Sequence, residues 1–332
     1  MAKKRTHTDD SHMASLFGEA EDFVFNKPAT VHKEEVEPKP AEESVLSEAK
    51  IEPECAFHYI SFGSGSSGNC SYIGTGKEGV LIDAGIDSKK VYSTLASYGI
   101  KPESIKGICL THDHGDHVRY AYNMIRKYPH MGVFCTNRVL NGMLRRHNIS
   151  RRIKDQHVAI FKEIPFKIAG LQITAFEVPH DGTDNMGFFI EYGDKKFTIA
   201  TDLGHINDRA EFYLKQANFM MLESNYDLTM LQNGKYPEYL KNRIIEANGH
   251  LDNKEGAQFV SRIIRPELKF IFLCHLSNDN NTPEIAFEEY HKALSDVGKT
   301  IGNGENTIED NQKDIQIIPL PRFEATREYI LR

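Results

Sequence analysis

Residues 112–117 place three imidazoles and two carboxylates within six positions, in the order His-Asp-His-Gly-Asp-His. Histidine nitrogen and carboxylate oxygen are the ligands that hold zinc-like divalent ions in proteins. His112 and His114 alternate, so both can reach one ion, and Asp116 and His117 begin a helical segment and can reach a second. A chance surface cluster beside a buried strand would leave these rings needing separate partners. The spacing therefore predicts a site for divalent metal ions.

The elements around this cluster must deliver it to one place. Residues 107–111 form a short apolar strand that runs directly into the cluster, and residues 118–127 have helical spacing. Most predicted strands come early in the chain, whereas helices alternate with strands after residue 207, and a last strand is predicted at residues 315–319. This order is typical of an α/β fold in which two packed mixed sheets carry helices on their outer faces.

The pattern HxHxDH at the end of a strand resembles the signature of the metallo-β-lactamase superfamily, and the resemblance extends over roughly residues 57–320. It implies the αββα sandwich of that superfamily and three more ligands, each after a later apolar strand: His180, Asp202 and His275. The implied assignment puts one ion on His112, His114 and His180 and a second on Asp116, His117 and His275, with Asp202 bridging them. Zinc, manganese or iron suits these ligands. Two such ions would activate a shared water and bind the oxygens of a phosphoryl or acyl group.

Three polar residues near the ligands have other expected roles. Asp113 is not a ligand in this pattern, and it either orients a histidine or is solvated. Asp83 lies where the superfamily keeps a carboxylate behind the histidine loop, although a turn aspartate before Gly85 is an alternative. His250 lies 25 residues before His275, as does a proton-donating histidine in RNase Z relatives. The resemblance thus implies a catalytic general acid at His250, beside catalytic roles for Asp116 and Asp202.

Other segments indicate a branch of the superfamily. Only 73 residues separate Asp202 from His275, which leaves no room for the inserted domain of β-CASP nucleases, and no long RNase Z arm is present. The loop at residues 63–69 (Gly-Ser-Gly-Ser-Ser-Gly-Asn) and the segment at residues 275–281 resemble the YycJ-like exonuclease branch. Tyr226 and Asp252 depart from it, where histidine and serine are common. The predicted substrate-binding residues are Ser66, Ser67, Asn69, Ser277, Asn280 and Asn281.

The resemblance implies a binuclear metal-dependent phosphodiesterase, namely a 5′–3′ exonuclease that digests double-stranded DNA in repair. One alternative is a hydrolase of a small phosphodiester, thioester or lactone, or an RNase Z-like RNA-processing enzyme. Another is a binding or regulatory protein whose metal ions are structural. An intact ligand set with an open position argues against this last alternative.

The composition indicates how the chain is divided into domains and in which compartment it works. Residues 1–55 carry 13 acidic and 7 basic side chains, so most of the net charge of −7 lies in a tail that we expect to be disordered and partly vector-derived. Residues 56–332 are then the catalytic domain. The run Ala-Ser-Leu-Phe at residues 14–17 loosely resembles peptides that bind sliding clamps. Five scattered cysteines, no secretory signal and no membrane-spanning run predict a cytoplasmic protein.

Overall fold

The computed structural model of the chain describes residues 55–305 and 307–332. The tail predicted for residues 1–55, with its clamp-type contact, therefore lies outside the described residues except for Cys55. The strands of the described part are β1 (Phe57–Gly63), β2 (Cys70–Gly74), β3 (Gly79–Ile82), β4 (Ile105–Cys109), β5 (Gly132–Cys135), β6 (His157–Ala159), β7 (Phe166–Ile168), β8 (Leu171–Glu177), β9 (Met186–Tyr192), β10 (Lys195–Ala200), β11 (Phe219–Glu223), β12 (Phe270–Cys274), β13 (Ile301–Gly302), β14 (Ile315–Pro319) and β15 (Tyr329–Leu331).

The helices lie mainly between strands in the chain. They are α1 (Ser88–Ser97), α2 (Gly115–Val118), α3 (Ala121–Lys127), α4 (Asn137–Arg146), α5 (Asp208–Leu214), α6 (Leu228–Asn233), α7 (Glu238–Ile245), α8 (Asn253–Ile263) and α9 (Pro283–Ser295), with 3₁₀ turns at Pro102–Ser104, Arg151–Gln156 and Asp310–Gln312. Within the described residues, none of these helices combines the length and apolarity needed to cross a bilayer.

The strands form two mixed sheets, as the sequence predicts. The first has the order β15-β1-β2-β3-β4-β5-β6, and the second the order β13-β14-β12-β11-β10-β9-β8-β7. In the first sheet β3 to β6 are parallel, and in the second β10, β11, β12 and β14 are parallel. Because β8 and β10 both pair with β9 in antiparallel fashion, β8 runs in the same direction as β10.

The main core lies between the two sheets and is rich in aromatic rings. Tyr59 of β1 lies 4.6 Å from the ring of Phe272 in β12 and 5.1 Å from that of Phe197 in β10. Alternate residues of β11 serve two cores: Phe219 joins the layer between the sheets, whereas Met220 faces the helices on the outer side. A central parallel strand buried on both faces explains why this run is apolar without alternation.

The predicted helix over residues 118–127 is divided in two at Tyr120. The Tyr120 N–H donates to the carbonyl of Ala84 at 2.8 Å, so it leaves the helical hydrogen-bond ladder and ties α2–α3 to the loop after β3. This bond fixes the chain just after the histidine cluster. The predicted site residues now meet at one edge, where β3 and β4 of the first sheet and β8, β10, β11 and β12 of the second all have their carboxyl ends. Ligand sites of open α/β sheets form at such ends.

Candidate metal centre

Three site residues share an unusual backbone conformation. Asp83, Asp202 and His275 have φ of 61°, 50° and 54°, and each follows the end of a parallel strand. Left-handed backbone is uncommon for residues other than glycine, and such strain clusters at functional sites. The conformation reverses the chain as it leaves the sheet, so that each polar side chain lies in the cleft between the sheets and not along the strand.

The loops around the histidine cluster are held at very short range. The carbonyls of Asp116 and His117 accept hydrogen bonds from Asn69 N (2.8 Å) and Ala84 N (2.6 Å). A Cβ at Gly85 would lie 1.5 Å from the Asp116 carbonyl oxygen, so only glycine fits there. These backbone contacts hold the ends of two strands and one helix in a fixed relation before any side chain acts.

Three histidines form the first ligand group. The nitrogens of His112, His114 and His180 lie within 4.8 Å of one another, and we call them the three-histidine group. Thr111 donates its hydroxyl proton to Asp83, so His112 Nδ1–H must be the donor to Thr111 Oγ1 at 3.0 Å. His180 Nδ1–H donates to the carbonyl of Gly249 at 2.9 Å. Both rings therefore keep an Nε2 lone pair available for a metal ion.

Two carboxylates and two histidines form the second group. Ligand atoms of Asp116, His117, Asp202 and His275 lie within 4.8 Å of one another, and we call them the mixed group. His117 Nδ1–H donates to Asp83 at 2.7 Å, and His275 Nδ1–H donates to Glu223 at 2.9 Å. Carboxylate partners of this kind orient a metal-binding histidine and raise its basicity. The support role predicted for Asp83 agrees with this contact.

Charge differs sharply between the two groups. Burial lowers the pKa of His112, His114 and His180, so these rings are neutral. Burial also opposes charge on His275, but Asp202, Asp116 and Glu223 outweigh it and raise its pKa to about 10. The pKa of His117 is raised in the same way by Asp202 and Asp83. The carboxylates of the mixed group and its neighbours thus favour positive charge, and the two histidines are protonated when no metal ion is bound.

Asp202 lies between the groups. Its Oδ1 is 3.4 Å from His117 Nε2, while its Oδ2 is 3.8 Å from His180 Nε2 and 3.9 Å from His112 Nε2. Burial disfavours its charge, but His275 and His117 hold its pKa well below the usual range. Oδ2 also lies 3.5 Å from His275 Nδ1, so the ionised carboxylate is within 4 Å of histidines in both groups, as a bridging ligand would be.

The donor set fits divalent metal ions. Among the described residues, the buried Nε2 atoms of His112 and His275 have no hydrogen-bond partner. Buried polar atoms are rarely left in this state in folded proteins. Imidazole nitrogens and carboxylate oxygens are suitable ligands for zinc and related ions, and coordination to an ion would give both Nε2 atoms a partner.

Glu223 is a buried site residue that the sequence analysis missed. It accepts hydrogen bonds from His250 Nδ1 (2.7 Å), His275 Nδ1 (2.9 Å), Leu203 N (2.9 Å) and Leu251 N (3.1 Å). Glu223 and His250 also lie close enough to Asp202 and His275 to form a metal-binding cluster. Four donors already occupy the Glu223 oxygens, so its role here is to position two histidines and not to bind an ion.

His250 lies beside both ligand groups and shares its hydrogen-bond partner Glu223 with His275 of the mixed group. Its ring centroid is 5.1 Å from the rings of His180 and His275. The ring lines a cavity of about 170 Å³ together with Ser66 and Ser277. Since Glu223 occupies Nδ1, Nε2 is the nitrogen that can serve a ligand in this cavity.

The predicted substrate-binding residues divide into two sets. Ser66 and Ser277 line the cavity, and Ser67 is exposed on the same loop but is not among the lining residues. Asn69, Asn280 and Asn281 are only 6%, 0% and 4% exposed, and their predicted contact with a substrate stays a prediction. Asn281 bonds the Ser224 and Asn225 carbonyls and Asn253, and Asn69 bonds Gly65 and Asp116. Their amides hold the loops that surround the ligands.

Two further aspartates, Asp113 and Asp181, lie beside the ligand groups. Asp113 is fully buried and accepts bonds from Thr183 N (2.8 Å) and Thr183 Oγ1 (2.6 Å), so it anchors the loop after His180 and orients no histidine. Asp181, another missed residue, lies 3.3 Å from His114 Nε2. If His114 Nε2–H donates to Asp181, the atom of His114 that binds a metal ion is Nδ1. This Nδ1 lies 3.3 Å from His180 Nε2.

Sequence comparison agrees with this architecture. The family model of the beta-lactamase superfamily domain matches residues 79–272. The exodeoxyribonuclease YycJ of Bacillus anthracis is 33% identical over 246 residues, which cover 74% of this chain and 92% of that protein. The exodeoxyribonuclease WalJ of Streptococcus pneumoniae is 34% identical over 250 residues, with 75% and 92% coverage.

Structural comparison shows the same fold in more distant proteins. The metallo-beta-lactamase fold protein YhfI of Bacillus subtilis superposes with a TM-score of 0.56 at 13% identity, covering 82% of this chain and 100% of that one. Zn²⁺-bound PqqB of Methylobacterium extorquens has a TM-score of 0.56 at 14% identity, with 81% and 99% coverage. At this identity the likeness concerns the fold alone.

Proposed function

Because the chain belongs to the YycJ-like branch of the metallo-β-lactamase superfamily, we propose that it is a metal-dependent exodeoxyribonuclease. The observation that carries the proposal is the pair of adjacent ligand groups, the three-histidine group and the mixed group, with Asp202 between them. Both relatives named above are exodeoxyribonucleases, and the alignments span most of each of those proteins.

Two divalent ions are the number that this donor set supports. The three-histidine group would hold one and the mixed group the other, and Asp202 would contact both. Ions bound in this way supply an activated water and neutralise the charge of a phosphodiester. Zinc and manganese are the first candidates, since imidazole and carboxylate together suit both.

The chain's own groups supply the proton for the leaving group. His250 would donate from Nε2 to the departing sugar oxygen, while Glu223 accepts from Nδ1 at 2.7 Å and orients the ring. Ser66 and Ser277 would bind the neighbouring phosphate through their hydroxyls, because both line the cavity that His250 shares. Loss of water from this cavity on substrate binding would strengthen each of these contacts.

The proposal is tested with one protein and four substrates. Wild type and an Asp202→Asn variant are incubated with Mn²⁺ or Zn²⁺ and end-labelled duplex DNA, single-stranded DNA, RNA or a chromogenic phosphodiester. We expect the wild type to release nucleotides from duplex ends with 5′–3′ polarity and the variant to be inactive on all four. Hydrolysis of the small diester without DNA cleavage would favour a small-substrate hydrolase, and preferred RNA cleavage would favour RNA processing.

A further inference from the structure

A second cavity lies beside the metal centre and is strongly basic. It has a volume of about 520 Å³ and is lined by Arg138, Asn141, Leu144, Arg145, Arg151, Lys154 and Thr183. Residues 137–155 contain six arginine or lysine side chains and one carboxylate, in a chain whose net charge is −7. We call Arg138, Arg145, Arg151 and Lys154 the basic surface.

The fold concentrates these charges by ordinary helical geometry. Val139, Leu140 and Met143 of α4 are buried, which leaves Arg138, Asn141 and Arg145, at spacings of three and four, on the open face. The 3₁₀ turn at Arg151–Gln156 buries Ile153 and exposes Arg151 and Lys154 next to that face. The sequence pattern thus explains both the burial of one side and the charge of the other.

The charges of the basic surface are not neutralised within the described part of the chain. No ion pair is formed there by Arg145, Arg151 or Lys154, and all three side chains are exposed. Arg138 donates to the carbonyl of Thr183 at 3.1 Å, a contact that leaves its positive charge uncompensated. Positive charges on neighbouring side chains repel one another, so a bound polyanion would lower the electrostatic free energy of this surface.

The basic surface is joined directly to the metal centre. Thr183 lines the cavity and also donates to Asp113, which separates the ligands His112 and His114. His147, after the end of α4, bonds the Asp113 carbonyl at 2.7 Å. A DNA strand bound along this surface would therefore lie beside the three-histidine group, because Thr183 both lines the cavity and bonds Asp113.

We propose that the basic surface binds the phosphodiester backbone of duplex DNA beside the metal centre, an inference that rests on the proposed nuclease function. Arginine and lysine contacts to phosphates supply most sequence-independent affinity for DNA. Proteins that grip single strands instead stack bases on aromatic side chains, and the residues lining this cavity include none. The composition thus favours a duplex backbone over unpaired bases.

The test removes three charges from residues that belong to neither ligand group. The variant Arg145→Gln/Arg151→Gln/Lys154→Gln is compared with Lys101→Gln/Arg262→Gln/Lys292→Gln, which removes the same charge from exposed positions outside the cavity. Binding is measured by fluorescence anisotropy at several salt concentrations, with metal-loaded protein and a duplex whose terminal linkages are phosphorothioate. Hydrolysis of a chromogenic phosphodiester is measured in parallel.

We expect the first variant to bind duplex DNA on the order of tenfold more weakly at low salt, with a log–log salt slope shallower by about 3. The control variant and small-diester turnover should match wild type. Unchanged duplex affinity and slope, equal losses in the control, or stronger binding of single strands than of duplex would overturn the proposal. Wild-type protein that binds duplex but does not cleave it would refute the nuclease function and leave the surface intact, because binding is measured without cleavage.

Discussion

The three-histidine group and the mixed group lie side by side but are supported in different ways. The histidines His112 and His180 bond to a hydroxyl and a backbone carbonyl, both of them neutral. In the mixed group, His117 and His275 bond to the carboxylates of Asp83 and Glu223. An ionised partner makes a stronger hydrogen bond than a neutral one and raises the basicity of the ring.

This difference predicts two metal positions of unequal affinity at one edge of the sheets. The mixed group is anionic, so we expect it to bind the tighter ion. The three histidines are neutral, and the charge of the neighbouring Asp181, 3.3 Å from His114 Nε2, is paired with Arg243. Of the two groups, this one lies beside the basic surface through Thr183 and Asp113. We expect its ion to be held more weakly and to exchange more readily. Four changes break or sharpen this contrast, beginning with the largest expected effect.

Asp202→Asn removes the one carboxylate that, among the described residues, lies within 4 Å of histidines in both groups. The position has φ of 50°, which asparagine tolerates better than most residues, so the backbone should be kept. We expect turnover near background, and metal content below that of any change confined to one group, because both ions lose a ligand. Elemental analysis and DNA cleavage check this. Retention of full metal content would remove Asp202 from the bridging position.

His250→Ala tests chemistry apart from metal binding. We expect both ions to remain, while turnover on DNA falls about 10²–10⁴-fold, the usual effect of losing a positioned proton donor. The loss should shrink for a nitrophenyl ester, because nitrophenolate leaves without a proton. His205→Ala, a histidine whose Nδ1 bonds Ala247 nearby, is the matched control and should behave as wild type. Loss of an ion from the His250 variant would make this residue a ligand.

Asp83→Asn removes the carboxylate that bonds His117 of the mixed group directly and reaches His112 of the three-histidine group only through Thr111. Asparagine has the shape of aspartate and tolerates the left-handed backbone at this position, but its amide has no negative charge to polarise the ring of His117. We expect affinity for the mixed-group ion to fall about 10- to 100-fold, with a smaller loss for the other ion, since His112 is linked to Asp83 only through Thr111. Asp194→Asn, at a position 77% exposed in a turn, is a control for charge loss. Equal weakening of both ions would contradict the separate roles of the two groups.

Local patterns in the sequence were sufficient for much of the fold and the ligand positions. Apolar strands followed directly by His112, Asp202 or His275 have a signal that depends only on neighbours in the chain. The break of the predicted helix at Tyr120 depends instead on a bond to Ala84, 36 positions earlier, and the sequence has no local trace of it. The strand Tyr329–Leu331 was missed because three residues are too few to show a period, and its partner β1 is at the other end of the domain.

Supporting residues were harder to predict than ligands. Glu223 ends an apolar strand, as the ligands follow theirs, and this position was the signal that could have identified it. The burial of Asn280 and Asn281 could not be predicted, because amides in a polar loop are usually exposed, and only the fold shows that these two are buried. Asp252 stands where serine is common, yet it caps α8 by accepting from Lys254 N and Glu255 N. Serine does the same work at an N-cap, so this departure keeps its structural role.

Calorimetric titration of metal-stripped protein with Zn²⁺ tests the two-position centre most directly. We predict two binding events per chain of unequal affinity, with the tighter event weakened more than the other in Asp83→Asn, because Asp83 bonds His117 directly and His112 only through Thr111. Circular dichroism before titration checks that the stripped proteins remain folded. A single event per chain, or two events that Asp83→Asn weakens equally, would contradict a centre built from one neutral and one anionic group.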